Sequence, residues 1–281
     1  LRPTRRPATL RGYEARGEST MEVTRRVLGL VLGLWLIGAP AAGAQAADSR
    51  LDTVVAQKLL RIGTTGDYKP FSFLNSETNT FEGIDIDMAR ALADALGAEP
   101  RFVQTAWPTL MADIAADKFD IAMGGISVTL ERQKTVWFSS PYLSSGKTPI
   151  ARCADQARFQ TLADIDRAGV RLIVNPGGTN ERFARANVKQ AAIVLFDDNR
   201  TIFAQILAGQ ADVMITDAIE TVLQQKLHPG LCAIHPDRPF NVSELAYLLP
   251  RDLPFKLFVD QWLHQAQMTK EFAAIYDKWL K

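Results

Sequence analysis

Asp217 and Glu220 have the spacing that bears most directly on chemistry. They lie where the apolar run Val213 to Ile215 gives way to a helical pattern, so three positions of separation put them about one turn apart, able to share a face. A carboxylic acid held in a closed, poorly solvated cleft has its pKa raised and can release a proton at neutral pH. On a solvated face Glu220 would be an ordinary surface residue, and Asp217 would cap the helix or orient a neighbour. Arg132 carries a planar fork that fits a carboxylate with two parallel hydrogen bonds, or else it is a surface Arg on a short helix. Thr129 and Ser127 share its turn. Thr179 follows Gly177-Gly178 and opens a helix, where its hydroxyl and the backbone N–H groups would form a positive end; the two glycines serve equally as a tight turn. Metal is not expected, because Cys232-Ala233-Ile234-His235 is one ligand pair without a second at usable spacing, His228 and His264 included. No G-x-S-x-G elbow, dinucleotide fingerprint or P-loop is present, so no cofactor is expected.

These residues need a frame, and the pattern supplies one. Short apolar runs alternate with amphipathic stretches, the mark of an α/β protein with largely parallel sheets. Leu59 to Gly63, Arg101 to Val103 and Phe119 to Met123 read as strands, with helices over Ile84 to Leu96, stopped by Gly97, and Trp107 to Ala116. The block repeats in kind: strands at Leu172 to Val174, Ala192 to Phe196 and Val213 to Ile215, and helices at Asn180 to Asn187, Thr201 to Leu207 and Asp217 to Leu227. The remainder, Leu245 to Leu249 and helices from Phe255 to Gln265 and Lys270 to Leu280, is too short for a third domain and must pack back on one of the first two.

Composition narrows the partners. With 47% hydrophobic and 22% charged residues, the 281-residue chain is globular material. Residues 1–46 carry +4 and the rest −3, so the near-neutral body excludes a nucleic-acid binder, which would need a clustered basic surface. Met21 to Ala46 reads as a signal peptide, with Arg25-Arg26 before the apolar run Val27 to Ile37 and small residues at Ala42 to Ala46 for cleavage near Gln45 or Ala47. That run spans about 16 Å as a helix, roughly half a bilayer's core, so a permanent anchor fits less well and no second span follows. Leu1 to Thr20 reads as upstream sequence outside the mature protein. Export would place Cys153 and Cys232 in an oxidising compartment, where they form one disulfide or remain two buried thiols.

Four stretches are more specific: Gly66-Asp67-Tyr68-Lys69-Pro70-Phe71, Gly83-Ile84-Asp85-Ile86-Asp87-Met88-Ala89, Thr129-Leu130-Glu131-Arg132 and Phe138-Ser139-Ser140-Pro141-Tyr142. In order and spacing the chain resembles the type II periplasmic solute-binding proteins, in particular their amino-acid-binding cluster, over essentially the whole mature length. The resemblance implies two α/β lobes, each a mostly parallel sheet flanked by helices, joined by two crossing strands and closing on a small ligand. It puts one lobe at 47–148 plus 243–281 and the other at 149–242. Within that family, Thr64 to Ser72, Asn175 to Glu181 and Thr216 to Glu220 are similar to the exported dehydratase branch, which converts prephenate to phenylpyruvate or arogenate to phenylalanine.

The resemblance implies that Arg132 binds a substrate carboxylate with Thr129, Ser127, Thr179 and Gly178 around it, and that Trp107 and Tyr68 wall the ring. Asp217 matches the carboxylate that holds the ammonium of bound amino acids. Asn175 and Lys69 are candidates for the second carboxylate or the hydroxyl, and Glu220 matches the general acid. Losing CO2 and hydroxide makes the ring aromatic, but the ring supplies no proton for the departing hydroxide, so an acid is required there. The rival expectation is a non-catalytic periplasmic amino-acid-binding protein of an ABC transporter, which needs no acid at Glu220.

Overall fold

The computed structural model describes residues 49–280; the upstream stretch, the signal peptide and its cleavage site fall outside the described residues. Two five-stranded sheets carry the fold. The first runs Glu99–Gln104, Leu59–Thr64, Ile121–Ala122, Leu248–Leu249, Trp137–Phe138. The second runs Ala192–Leu195, Arg171–Val174, Val213–Asp217, Lys147–Arg152, Leu231–Ala233.

Each sheet is mostly parallel, as expected, and is mixed by one strand. Their first three strands pair parallel, but Leu248–Leu249 and Lys147–Arg152 each run antiparallel to both neighbours. One strand in each sheet is therefore reversed. The cause is the path of the chain: it leaves the first sheet through Leu143–Ser145 and returns through Ser243–Leu245, which pair antiparallel, and each crossing delivers a strand from the opposite direction. The two crossing segments are so close at Gly146 that a Cβ there would stand 2.0 Å from the Asn241 carbonyl oxygen. A small antiparallel sheet of Asp67–Tyr68, Ser72–Asn75 and Thr80–Glu82 escaped the pattern reading because its strands are too short to show alternation.

Local sequence explains the elements that hold the site. In the helix Ile84–Leu96, residues Ile84, Met88, Leu92 and Leu96 recur every fourth position and are buried, and Gly97 ends the helix with φ 62°, a left-handed conformation that glycine adopts at little cost. The helix expected from Trp107 begins only at Leu110. Pro108 disfavours helical backbone at the residue before it, which leaves Trp107 in a loop. All five residues of Val213–Asp217 are buried, and the helix Ala218–Leu227 follows without a linker, so Asp217 and Glu220 hang from one rigid junction. Phe255, Val259 and Leu263 of Leu253–Met268 are buried in the core shared by Leu60, Ile62 and Leu92, with Phe272 and Trp279 of Glu271–Leu280 packed against it. The last two helices thus pack back on the first sheet.

Cys153 and Cys232 are joined by a disulfide, with Cα atoms 4.8 Å apart, beside the antiparallel pairing of Lys147–Arg152 with Leu231–Ala233. Among the described residues no helix is long and apolar enough to cross a membrane.

Candidate active site

The loops that leave the two sheets face each other across a small cavity. Tyr68, Trp107, Gly125 and Ser127 line it from one side, and Asn175, Gly178, Thr179, Asn180, Asn199 and Asp217 from the other. It holds about 20 Å3, room for roughly one water molecule. The walls are in contact across it. Tyr68 donates its hydroxyl to Asp217 Oδ2 at 2.6 Å, Asn199 Nδ2 donates to the Asp67 carbonyl at 3.0 Å, and the Ser127 and Thr179 hydroxyls are 3.3 Å apart. Gly177, with φ 78°, presses on Pro108, where a Cβ would stand 2.6 Å from the proline nitrogen. This is a closed arrangement, with no room for a molecule the size of an aromatic ring.

Glu220 is 1% exposed. Burial pushes its carboxyl up to about 8, helped by the negative charge of Asp217, while the Thr216 hydroxyl, donating to Oε2 at 2.5 Å, and the charge of Lys147 pull the other way. At neutral pH the group therefore keeps its proton. Thr216 is itself held by Asn180, whose Nδ2 donates to its hydroxyl at 3.0 Å. The Asp217 carboxylate is engaged at both oxygens, by Tyr68 and by the Lys147 ammonium at 2.9 Å. It makes no side-chain capping bond to its helix, which removes the capping alternative.

Arg132 is 3% exposed, and no carboxylate pairs with it among the described residues. Its Nη1 donates to the Ser127 carbonyl at 2.8 Å, its backbone N–H donates to the Thr129 hydroxyl at 3.2 Å, and its Nε has no partner. Thr129 and the Ser127 backbone thus orient the arginine. Burial, with the nearby Arg182 charge, lowers the guanidinium to about 10, and it remains a cation at neutral pH. A buried cation with a free donor is poised for an anion, since leaving it unpaired is costly.

The remaining expected residues divide. Trp107 and Tyr68 meet edge to face with centroids 6.0 Å apart, and the indole N–H donates to Asp67 at 3.0 Å. Asn175 accepts from Asn180 Nδ2 at 3.3 Å. Thr179 opens its helix beside the cavity, but the Glu181 carboxylate already accepts the Gly177 N–H at 2.7 Å, so that end is partly satisfied. The tight turn belongs to Gly177; a Cβ at Gly178 would meet only ordinary contacts. Lys69 is not brought in: it is exposed, its ammonium 4.4 Å from the Phe73 ring centre in an outer groove. Glu220 and Arg132 stand one layer behind the free volume in this closed arrangement.

A family model described as bacterial extracellular solute-binding proteins, family 3, matches residues 60–281. The chain belongs to this family. Cyclohexadienyl dehydratase from Pseudomonas aeruginosa is 56% identical over 241 residues, covering 86% of this chain and 90% of that protein. The crystal structure of an ancestral cyclohexadienyl dehydratase is 50% identical with a TM-score of 0.53, over 83% of this chain and 97% of that one. An ancestral amino acid-binding protein, described as a precursor of cyclohexadienyl dehydratase, superposes with a TM-score of 0.78 at 32% identity, over 83% of this chain and all of that one. The chain is a close homologue of a carbon–oxygen lyase built on the solute-binding fold.

Three residues of this family member's site escaped sequence reasoning. Lys147 opens a strand that the pattern reading did not recognise, although a lysine heading the run Thr148-Pro149-Ile150-Ala151 was a usable signal. Asn180 looked like an unremarkable helix residue. Asp85, fully buried, accepts the Gly125 N–H at 2.6 Å and the Tyr142 hydroxyl at 2.7 Å, fixing the loop that forms one cavity wall. Burial pushes its carboxyl up to about 7, against the pull of those hydrogen bonds. Among the described residues no three His, Cys, Asp or Glu side chains gather to hold a metal.

Proposed function

We propose that this chain is an exported dehydratase that converts prephenate to phenylpyruvate, arogenate to phenylalanine, or both, with Glu220 as general acid. The observation that carries the reading is a fully buried carboxyl, pushed up to about 8, at the junction that also presents Asp217 to the cavity. Its weight is increased by the 56% identity to a cyclohexadienyl dehydratase.

The chemistry follows from what the chain offers. With the walls parted and then closed on substrate, Arg132 takes a carboxylate in its fork while Trp107 and Tyr68 flank the ring. The carboxylate on the ring leaves as CO2, its bonding pair enters the ring, and the ring expels hydroxide. Glu220 delivers its proton to that oxygen, so water departs and the ring is aromatic. The Thr216 hydroxyl holds Glu220, its burial keeps solvent away, and no cofactor enters the balance. The leader pattern and the family's extracellular character support a periplasmic location, with lobes at 47–148 plus 243–281 and 149–242.

The test is phenylpyruvate absorbance after prephenate is added to purified protein, with phenylalanine formation from arogenate followed in parallel. Turnover of either supports the reading. A protein that binds amino acids tightly and converts neither substrate is a transport component.

A further inference from the structure

A groove of about 360 Å3 opens beside the closed cavity, with Val128, Thr129, Arg182, Phe183 and Val242 in its walls. Ser127 and Thr179 line both spaces, so their hydroxyls, 3.3 Å apart, form the partition between them. Thr129 and Ser127, which orient Arg132, thus stand in the wall of this groove. Where the cavity has room for about one water molecule, the groove has room for a ring bearing a carboxylate.

The charges facing this groove do not cancel. Glu131 is paired with Lys134 at 2.6 Å and Lys147 with Asp217 at 2.9 Å. Glu181, next to Arg182 in the chain, is taken by Arg185 and by the Gly177 N–H, each at 2.7 Å. Arg182, on the helix Thr179–Asn187, is exposed and, like Arg132, has no carboxylate within ion-pair distance among the described residues. Burial and then the Arg182 charge lower the Arg132 guanidinium, so the two cations repel, and an anion between them relieves that repulsion. Val128 and Phe183 are half-buried and Val242 is 80% exposed, which gives the groove an apolar side. Surplus positive charge beside an apolar seat fits a ring-bearing carboxylate. We propose that this groove is an encounter site for the anionic substrate, in which Arg182 draws the carboxylate to the Ser127–Thr179 partition beside Arg132 while the ring rests on Phe183 and Val242. The assignment rests on the dehydratase reading for the class of its ligand.

Stopped-flow tryptophan fluorescence of the full mature protein with phenylpyruvate, at about 10 mM and about 500 mM salt, tests it without turnover. At low salt Arg182→Gln should slow association about 3- to 10-fold and Arg182→Glu further, with dissociation within about twofold of wild type. Arg182→Lys keeps the charge and should associate within about twofold of wild type. At high salt the variants should converge on wild type, because exposed charges are then screened within a few ångströms. Arg182 is exposed, so these substitutions leave the core intact. Equal association by wild type and Arg182→Glu at low salt, a deficit that persists at high salt, a loss confined to dissociation, or no binding of phenylpyruvate by wild type would overturn the assignment. A salt-dependent deficit without turnover of prephenate leaves the assignment standing and removes the dehydratase reading; turnover with variants that associate like wild type does the reverse.

Discussion

Replacing Glu220 by Gln should make the protein more stable at alkaline pH. The wild-type carboxyl titrates near 8 when folded and near 4.5 when unfolded, so between these values the folded chain holds one more proton than the unfolded chain. Stability then falls as pH rises, by about 1.4 kcal/mol per pH unit, and over this interval the loss comes to about 5 kcal/mol. Gln cannot ionise, so Glu220→Gln lacks this slope. Its amide oxygen can still accept from Thr216, but its NH2 group needs an acceptor, and a buried unmet donor costs about 1–3 kcal/mol. The net gain at pH 9 is therefore about 2–4 kcal/mol, with wild type equal or superior at pH 5. Asp85, pushed up to about 7, adds a slope of the same sign to both proteins and cancels in the comparison. Urea melts of the pair from pH 5 to pH 9 read the difference directly. Parallel stability curves would refute the reasoning, because they would mean that Glu220 ionises normally in the folded protein.

Arg132→Lys keeps the charge but loses the two-pronged fit, and should lower kcat/KM for prephenate by about 10- to 100-fold through weaker capture; an unchanged value removes Arg132 from the site. Cys153→Ser with Cys232→Ser opens a loop of 79 residues and should cost about 4.5 kcal/mol by chain entropy, seen as a lower denaturation midpoint under oxidising conditions. Exported protein should begin close to Gln45 or Ala47, which N-terminal sequencing of periplasmic material checks against an intact leader.

What the sequence made legible is what periodicity and local chemistry encode. Ile84, Met88, Leu92 and Leu96 announce their helix because burial of one face demands that spacing, and Gly97 announces its end. The Asp217 and Glu220 pair was legible for the same reason: the apolar run Val213 to Ile215 leads straight into a helical pattern. The reversed strands were not, because Leu248–Leu249 takes its place between Ile121–Ala122 and Trp137–Phe138, more than a hundred residues away, and two residues carry no pattern. Lys147 was missed through the same gap, since its strand was not recognised and its partners, Asp217 and Asn180, lie 70 and 33 residues distant. Lys69 misled in the opposite sense. It lies next to Tyr68, yet that neighbour points into the cavity while Lys69 lies outside on the Phe73 ring.

The central claim is that a protonated Glu220 drives loss of hydroxide, and steady-state phenylpyruvate formation from prephenate by wild type and Glu220→Gln between pH 6 and pH 9 tests it most directly. Wild-type kcat should be flat at low pH and fall about tenfold per unit above the Glu220 pKa, because only the protonated acid works. Glu220→Gln should bind substrate with KM within a few-fold, turn over about 100- to 10,000-fold more slowly, and lack that alkaline limb. Turnover by Glu220→Gln within a few-fold of wild type, with the same pH profile, contradicts the claim and assigns the proton to another group.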